Sequence, residues 1–175
     1  FLAEAVARLG FARGTWSASL ITRNHHEDST ILHYNRFSFG FERPDGTYLT
    51  ESLLSYGQKR LLAFLYYLHA NEGPVVADEV VNGLHHEWIK NLVERMATRQ
   101  AFLSTQNPLL LDYLNFESPE DVRRTFVFCE TEKDTSGIEQ MTWRHLSEDD
   151  ARAFFDAYEV GIQHVSELLR TRGLW

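Results

Sequence analysis

The sequence is short of the features that mark disulfide-rich, zinc-binding and membrane-spanning proteins. Cys129 is its one cysteine among 175 residues, which excludes an internal disulfide and a cysteine-built zinc site. No apolar run approaches the roughly 18–20 residues that cross a bilayer, and no secretory signal is recognisable. These absences favour a reducing, cytoplasmic setting without membrane contact.

Positive charge is also scarce. Lys and Arg number 17 against 25 Asp and Glu, so the net charge is −8. An acidic chain is a poor general binder of phosphate backbones. Contact with nucleic acid would therefore need a local basic patch or a partner protein.

What is present is the composition of a globular protein, with 43% apolar and 24% charged residues. The chain begins at Phe1, with Leu2, Val6 and Leu9 at helical spacing, whereas Gly173–Trp175 is typical of a natural end. We therefore expect residues 1–175 to be a single partial domain of a longer protein whose N-terminal part is missing.

Residues 1–50 are predicted as a helix followed by a β-hairpin. Helical spacing covers residues 1–11, and the polar stretch 12–30 is predicted as loop with a short strand near Leu20–Ile21. Alternating phenylalanines then predict a strand with one buried face: Phe37, Phe39 and Phe41. Turn residues at 44–46 lead into a return strand at Thr47–Thr50.

Residues 51–115 are predicted as alternating helices and parallel strands. A helix rich in leucine and aromatic residues covers Lys59–Leu68. Val75–Ala77 is wholly apolar, as expected of a strand buried on both faces, and Ala101–Leu103 is a second short strand. The helix between these strands implies a right-handed crossover and a parallel sheet.

Residues 116–175 are predicted as a C-terminal hairpin and one long helix. The hairpin strands are Thr125–Cys129 and Glu139–Leu146, joined by a turn at 134–137, with Cys129 in the core. Ser147 and Asp150 fit the start of the helix. Its apolar stripe is Phe154, Tyr158, Ile162, Val165 and Leu169.

Two adjacent acids carry the strongest chemical signal. Asp78 and Glu79 directly follow a predicted parallel strand, and such sheets bind ligands beyond the carboxyl ends of their strands. Adjacent residues of a strand point in opposite directions, so one acid could hold Mg²⁺ while the other orients and deprotonates a water. Helix capping and plain solvation are the alternatives for each acid.

Two further polar stretches accompany the acids. Leu54–Arg60, with the letters LSYGQKR, places a hydroxyl and a glycine at a helix start, which suits an anion; a simple Ser55 N-cap explains the same residues. Ser104–Pro108 follows the neighbouring strand and would face the same crevice as the acids. An ordinary strand-to-helix loop is the alternative there.

The order and spacing of these stretches resemble the C-terminal half of an ABC-type ATPase head, of the SMC-like, RecF-like and OLD-like branch. Leu54–Arg60 resembles the signature motif and Pro74–Glu79 (PVVADE) resembles Walker B. Asn82–His85 (NGLH) resembles the D-loop, and Ser104–Pro108 (STQNP) resembles the switch loop. The resemblance implies an α/β fold, the C-terminal lobe of a P-loop NTPase, with parallel strands flanked by helices plus β-hairpins.

The resemblance also implies a composite site for Mg²⁺ and ATP. Asp78 would help to hold the metal, Glu79 would be the catalytic base, and Gln106 would take the place of the switch histidine. Ser55, Gly57 and Gln58 would contact the γ-phosphate of ATP held mainly by an opposite subunit. Asn82 and Gly83 would lie at the dimer interface.

Two departures from the family pattern carry weight. No G-x-x-x-x-G-K-[ST] phosphate-binding loop occurs, and no Q-loop precedes the signature. Both belong to the missing N-terminal half, so we expect this part alone neither to bind ATP tightly nor to hydrolyse it. Gln106 cannot be protonated as histidine can, although it can still donate a hydrogen bond to phosphate.

The resemblance therefore predicts an ATPase, a hydrolase whose heads form a homodimer or higher oligomer. Related heads serve DNA repair, chromosome maintenance and anti-phage defence. The alternative is a degenerate, non-hydrolysing head that acts as a nucleotide sensor or as a scaffold for an effector protein. In a third arrangement, a separate polypeptide supplies the missing half.

Overall fold

The computed structural model describes residues 1–133 and 137–174. It contains a parallel pair of strands, flanking helices and antiparallel hairpins. The predicted mixed α/β class is therefore confirmed. The chain divides into two compact units, residues 1–107 and residues 108 onward.

The first unit contains the parallel sheet. In chain order its elements are α1 (Leu2–Arg8), β1 (Arg13–His25), β2 (Thr30–Glu42), β3 (Tyr48–Thr50), a 3₁₀ turn (Glu51–Leu53), α2 (Tyr56–Ala70), β4 (Val75–Asp78), α3 (His86–Met96) and β5 (Ala101–Ser104). β1, β2 and β3 form an antiparallel sheet in that order. β4 pairs in parallel with β5, and Asp78 lies opposite Ser104.

The second unit is built on helices and one hairpin. Its elements are a 3₁₀ turn (Pro108–Tyr113), α4 (Pro119–Thr125), β6 (Phe128–Lys133), β7 (Glu139–Arg144), α5 (Glu148–Val160) and α6 (Val165–Thr171). Its core combines aliphatic side chains with aromatic rings; Phe154 is fully buried and meets Phe116 edge to face at 6.0 Å between ring centroids. No helix in the described residues is long and apolar enough to cross a membrane.

The loop prediction for residues 12–30 is wrong, because β1 extends over Arg13–His25. Its outer part pairs with β2 in a ribbon exposed on both faces, so no buried face imposes an apolar alternation on its sequence. Register shifts between Ser17 and Ser19, and between Leu20 and Thr22, further break the two-residue period.

The predicted buried face of the phenylalanine strand is only partly present. Phe41 is fully buried, Phe39 is half-buried and Phe37 is 64% exposed. The burial follows distance along the ribbon, since the inner end packs beside Phe11 whereas Phe37 lies farther out and stacks on Trp16. The return strand predicted at Thr47–Thr50 is confirmed as β3.

β4 is buried on one face, so the prediction of burial on both faces is wrong for this chain. Val75 is fully buried and packs with Leu68 and Met96. Val76, on the opposite face, is 67% exposed, and its partner Phe102 on β5 is 57% exposed. A cavity of about 300 Å³ opens beside this face.

The predicted long C-terminal helix is two helices. α5 ends at Gly161, which has a φ of +71° in the left-handed region that stops a helix. Ile162, placed on the predicted apolar stripe, is 82% exposed in the break before α6. Ser147 caps α5 as predicted, since its hydroxyl oxygen accepts from the Asp150 N–H at 3.1 Å.

Cys129 is exposed, so its assignment to the core is wrong. It lies on β6 opposite the exposed Trp143 of β7, on a two-stranded hairpin. The turn predicted at 134–137 falls for the most part on residues outside those described. α4 was not predicted from the sequence; its N-cap is Ser118, whose hydroxyl oxygen accepts from the Asp121 N–H.

We expect Phe154→Ala to destabilise the second unit strongly, because it removes a fully buried ring that packs against Phe116 and Phe126. Truncating a buried phenylalanine lowers the free energy of unfolding by about 3–5 kcal/mol. Urea denaturation followed by circular dichroism measures this. Val160→Ala, at an exposed position on the same helix, should change it by less than about 0.5 kcal/mol. Equal effects of the two substitutions would contradict the described core.

Candidate functional site

The carboxyl ends of β4 and β5 meet, as the sequence analysis expects of a parallel pair. Asp78 and Ser104 are direct partners in the sheet, and the Ser104 hydroxyl donates a hydrogen bond to the Asp78 carboxylate. The Glu79 N–H continues the ladder by donating to the Ser104 carbonyl at 3.0 Å. Both acids are therefore fixed to the neighbouring strand as well as to their own.

Glu79 also binds the loop that follows β5. The Gln106 N–H donates to Glu79 Oε2 at 3.1 Å, and the Asn107 N–H donates to Thr105 Oγ1 at 2.9 Å, which shapes the loop. Gln106 thus meets Glu79 through its main chain, while its side chain is exposed. The three predicted catalytic and metal residues, Asp78, Glu79 and Gln106, lie together.

The backbone of Glu79 is unusual. Its φ is +49°, in the left-handed region that residues with a Cβ rarely adopt. Such a conformation costs about 1–3 kcal/mol and persists only where surrounding contacts impose it. Strained backbone of this kind clusters at functional sites, which supports interest in Glu79 independently of its motif.

Asp78 and Glu79 suit a Mg²⁺ ion that is also coordinated by the phosphate groups of a ligand. Asp78 is exposed and Glu79 half-buried, and carboxylate oxygens are ligands that Mg²⁺ prefers. No group of three or more metal-binding side chains occurs among the described residues. Mg²⁺ usually takes one or two protein carboxylates and completes its shell with water and substrate phosphates, which two acids can satisfy.

The start of α2 is a capping box. Ser55 Oγ accepts from the Gln58 N–H at 3.2 Å, and Gln58 Oε1 accepts from the Ser55 N–H at 2.8 Å. Ser55 is therefore the N-cap of α2, as the simpler of the two interpretations predicts. Ser55 is exposed and Gln58 partly so, which leaves the positive end of a 15-residue helix at the surface.

The predicted D-loop, Asn82–His85, directly follows two buried valines. Val80 and Val81 are buried, and the Asn82 N–H donates to the Glu79 carbonyl at 3.2 Å. Asn82 and Gly83 are exposed, and Gly83 has a φ of +75°. The turn thus presents to solvent the two residues that the resemblance places at a dimer interface.

Two glycines bring α2 and this turn into backbone contact. A Cβ atom on Gly57 would lie 2.1 Å from the Gly83 carbonyl oxygen, and one on Gly83 would lie 2.9 Å from the Tyr56 ring. Gly57 is accordingly buried, with its α-carbon against its own chain. Of the predicted phosphate-contacting residues, Ser55 and Gln58 are the two whose side chains reach the surface.

Arg60 is a member of the site that was not predicted from the sequence. Its guanidinium donates to the carbonyls of Asp78, Glu79 and Val80. It also donates to the Tyr56 hydroxyl at 2.7 Å. The sequence shows Arg60 as the last letter of the signature stretch, but contacts to residues 18–20 positions away leave no local signal.

One family model matches most of this sequence. Residues 8–112, more than half of the chain, match the family described as "AAA domain, putative AbiEii toxin, Type IV TA system". The chain belongs to this AAA family. The recognition of an AAA-family head from the sequence is thereby confirmed.

Solved structures of SMC proteins resemble this AAA-family chain at low sequence identity. One, titled "Structural biochemistry of ATP-driven dimerization and DNA stimulated activation of SMC ATPases", has 16% identity and a TM-score of 0.45, covering 92% of this chain and 89% of that one. An Smc head domain from Pyrococcus furiosus bound to the C-terminal domain of ScpA has 17% identity and a TM-score of 0.45. That match covers 90% of this chain and 36% of the other. No curated protein sequence matches.

We expect Gly57→Ala to destabilise the first unit although alanine is the better helix former. Helix propensity alone would make the change favourable by about 1 kcal/mol. The added methyl group would instead meet the Gly83 carbonyl oxygen, and overpacking of this kind costs about 1–3 kcal/mol. Thermal or urea unfolding shows whether the substitution lowers or raises the free energy of unfolding.

The matched control is Gly73→Ala. Gly73 lies in the same unit, and its added Cβ would make only an ordinary 3.4 Å contact with the Asn71 side chain. A Gly57→Ala variant as stable as the parent protein would show that the close approach of α2 to the turn is wrong.

Proposed function

We propose that this chain supplies the signature, Walker B, D-loop and switch-loop half of an ATPase head. The whole protein would bind and hydrolyse Mg·ATP between two such heads. Membership of an AAA family supports the proposal that the protein binds a nucleotide. The observation that carries the proposal is the convergence of Asp78, Glu79 and the Gln106 N–H at the exposed ends of two parallel strands.

In this proposal the two acids divide the chemistry. Asp78, oriented by the Ser104 hydroxyl, binds Mg²⁺, which neutralises phosphate charge when it is bound. Glu79 accepts a proton from the attacking water and holds that water in line. The Gln106 N–H, 3.1 Å from Oε2, orients the Glu79 carboxylate and leaves its other oxygen for the water.

The start of α2 would serve the opposite head. Ser55 and Gln58 lie at a positive helix end, where backbone N–H groups and the helix dipole favour an anion. We propose that they contact the γ-phosphate of ATP bound mainly by the partner, with Gly57 holding the helix start against its own turn. Asn82 and Gly83 then lie along the same interface, in a homodimer or higher oligomer.

The setting is a further part of the proposal. Repair, chromosome maintenance and anti-phage defence all use heads of this type, and the family description names a toxin–antitoxin system, which favours defence. An effector protein is the partner that such a setting implies. The phosphate-binding loop would come from an N-terminal half, in the same polypeptide or in a separate one.

A second candidate is a non-hydrolysing head that acts as a sensor or scaffold. Gln106 favours it, because glutamine cannot take the positive charge that a switch histidine can bring to the γ-phosphate. Hydrolysis by the full-length protein separates the two functions: turnover supports the ATPase, and nucleotide binding without turnover supports the sensor.

We expect Glu79→Gln in the full-length protein to abolish ATP turnover while ATP binding is retained. Loss of a general base typically lowers kcat by about 10²–10⁴-fold, and the amide keeps the size of the side chain. Single-turnover hydrolysis and equilibrium nucleotide binding measure the two effects. Glu72→Gln, at an exposed acid before β4, should leave both unchanged. Unaltered turnover in Glu79→Gln would remove Glu79 from the proposed mechanism.

We expect Ser55→Asp to prevent ATP-dependent dimerisation of the full-length protein without unfolding α2. Aspartate caps a helix as well as serine does, but its charge would oppose the γ-phosphate. Light scattering with and without ATP measures dimerisation. Ser147→Asp makes the same exchange at the capped start of α5 and should leave dimerisation intact. ATP-dependent dimers of Ser55→Asp would contradict the proposed phosphate contact.

A further inference from the structure

We propose that Arg60 is a positioning residue for Glu79. Its guanidinium holds the main chain of Glu79 in the left-handed conformation that directs the carboxylate to the switch loop. The inference rests on the proposed function for its catalytic meaning. Its structural part stands on contacts within the first unit alone.

The contacts of Arg60 match the shape of its side chain. Nη2 donates to the Asp78 carbonyl at 3.2 Å and also to the Glu79 carbonyl. Nε donates to the Val80 carbonyl at 3.4 Å. A planar guanidinium with five N–H donors can bind three successive carbonyls at once, which a lysine ammonium cannot do with the same geometry.

The third nitrogen of the guanidinium, Nη1, contacts Tyr56. Nη1 donates to the Tyr56 hydroxyl at 2.7 Å, and the guanidinium carbon lies 5.7 Å from the centroid of the Tyr56 ring. Tyr56 in turn packs on Gly83. Arg60 is therefore held by α2 at one end and by the turn after β4 at the other.

Both peptide groups of Glu79 are fixed by these contacts. Its N–H donates to the Ser104 carbonyl at 3.0 Å, and its carbonyl accepts from Arg60 and from the Asn82 N–H. The two peptide planes set φ at +49°, and this backbone aims the side chain at the Gln106 N–H. Without Arg60, the left-handed conformation would lose one of the contacts that hold it.

Arg60 also stands five residues after Ser55 on the same helix. In the proposed dimer, Ser55 meets the triphosphate held by the opposite head, while Arg60 holds the base of its own head. A shift of α2 on head engagement would therefore reach Glu79 directly through one side chain.

The test compares Arg60→Lys with Arg99→Lys in the full-length protein. Arg99 is a matched control, because its guanidinium also donates to three carbonyls, those of Leu68, Asn71 and Gly73, in the same unit but away from Glu79. Both variants keep the positive charge. Any general loss of stability from the removed guanidinium is expected in both.

Hydrogen exchange of the nucleotide-free protein reports on positioning. In Arg60→Lys, we expect the amides of Glu79 and Gln106 to exchange about tenfold faster, because local opening of the strand ends becomes easier. The amides of α3 should be unchanged, and Arg99→Lys should leave Glu79 and Gln106 as they are. Unchanged exchange of Glu79 and Gln106 in Arg60→Lys overturns the inference.

Kinetics add the catalytic part. Arg60→Lys should lower kcat for ATP at least about tenfold with the dissociation constant for ATP unchanged, since it displaces the base and not the nucleotide. A rise in the dissociation constant with kcat intact overturns the positioning role. If the parent protein hydrolyses no ATP, the proposed function fails, and the exchange measurement still decides whether Arg60 holds Glu79.

A second variant guards against misfolding of the first. Tyr56→Phe removes only the hydroxyl that accepts from Nη1 and keeps the ring against Gly83. It should raise exchange at Glu79 in the same direction but by a smaller factor. If Arg60→Lys does not fold, faster exchange in Tyr56→Phe supports the inference and unchanged exchange overturns it.

Discussion

The parallel register of β4 and β5 is the constraint on which the candidate site depends. Because Asp78 lies opposite Ser104, the next N–H along, that of Glu79, reaches the Ser104 carbonyl, and the loop after β5 passes over the Glu79 carboxylate. A slip of one residue would turn every side chain of the strand to the other face. Two strands of four residues each thus fix the positions of groups that themselves lie near solvent.

Contacts between main chains join α2 to those strand ends. Gly57 and Gly83 let the helix start touch the turn after β4 at a distance that no side chain would allow. Arg60 adds a side chain that donates to the main-chain carbonyls of Asp78, Glu79 and Val80 and to the Tyr56 hydroxyl. Residues 54–60 and the two acids, separate in sequence, are therefore joined by contacts that involve the main chain rather than the carboxylates.

The sequence predicted the parts of this arrangement that depend on local or periodic signals. A serine before a helical stripe and acids after an apolar strand are such signals, and α2, β4 and β5 lie where they indicate. The contacts of Arg60 give no local signal, because they join carbonyls that are distant in sequence. The full length of β1 gives no periodic signal, because this strand has no buried face. At Gly161 the apolar spacing continued through a residue whose positive φ ends the helix.

In the proposed function, Gln106 stands where the family resemblance implies a switch histidine, and this difference affects phosphate stabilisation but not the orientation of Glu79. Glu79 is contacted by the main-chain N–H of residue 106, and every residue except proline carries that donor. The orientation of the proposed base is therefore independent of the side chain at this position. What glutamine lacks, compared with histidine, is a group that could bring positive charge to the γ-phosphate. A non-hydrolysing head would thus have lost phosphate stabilisation while its base stayed in place.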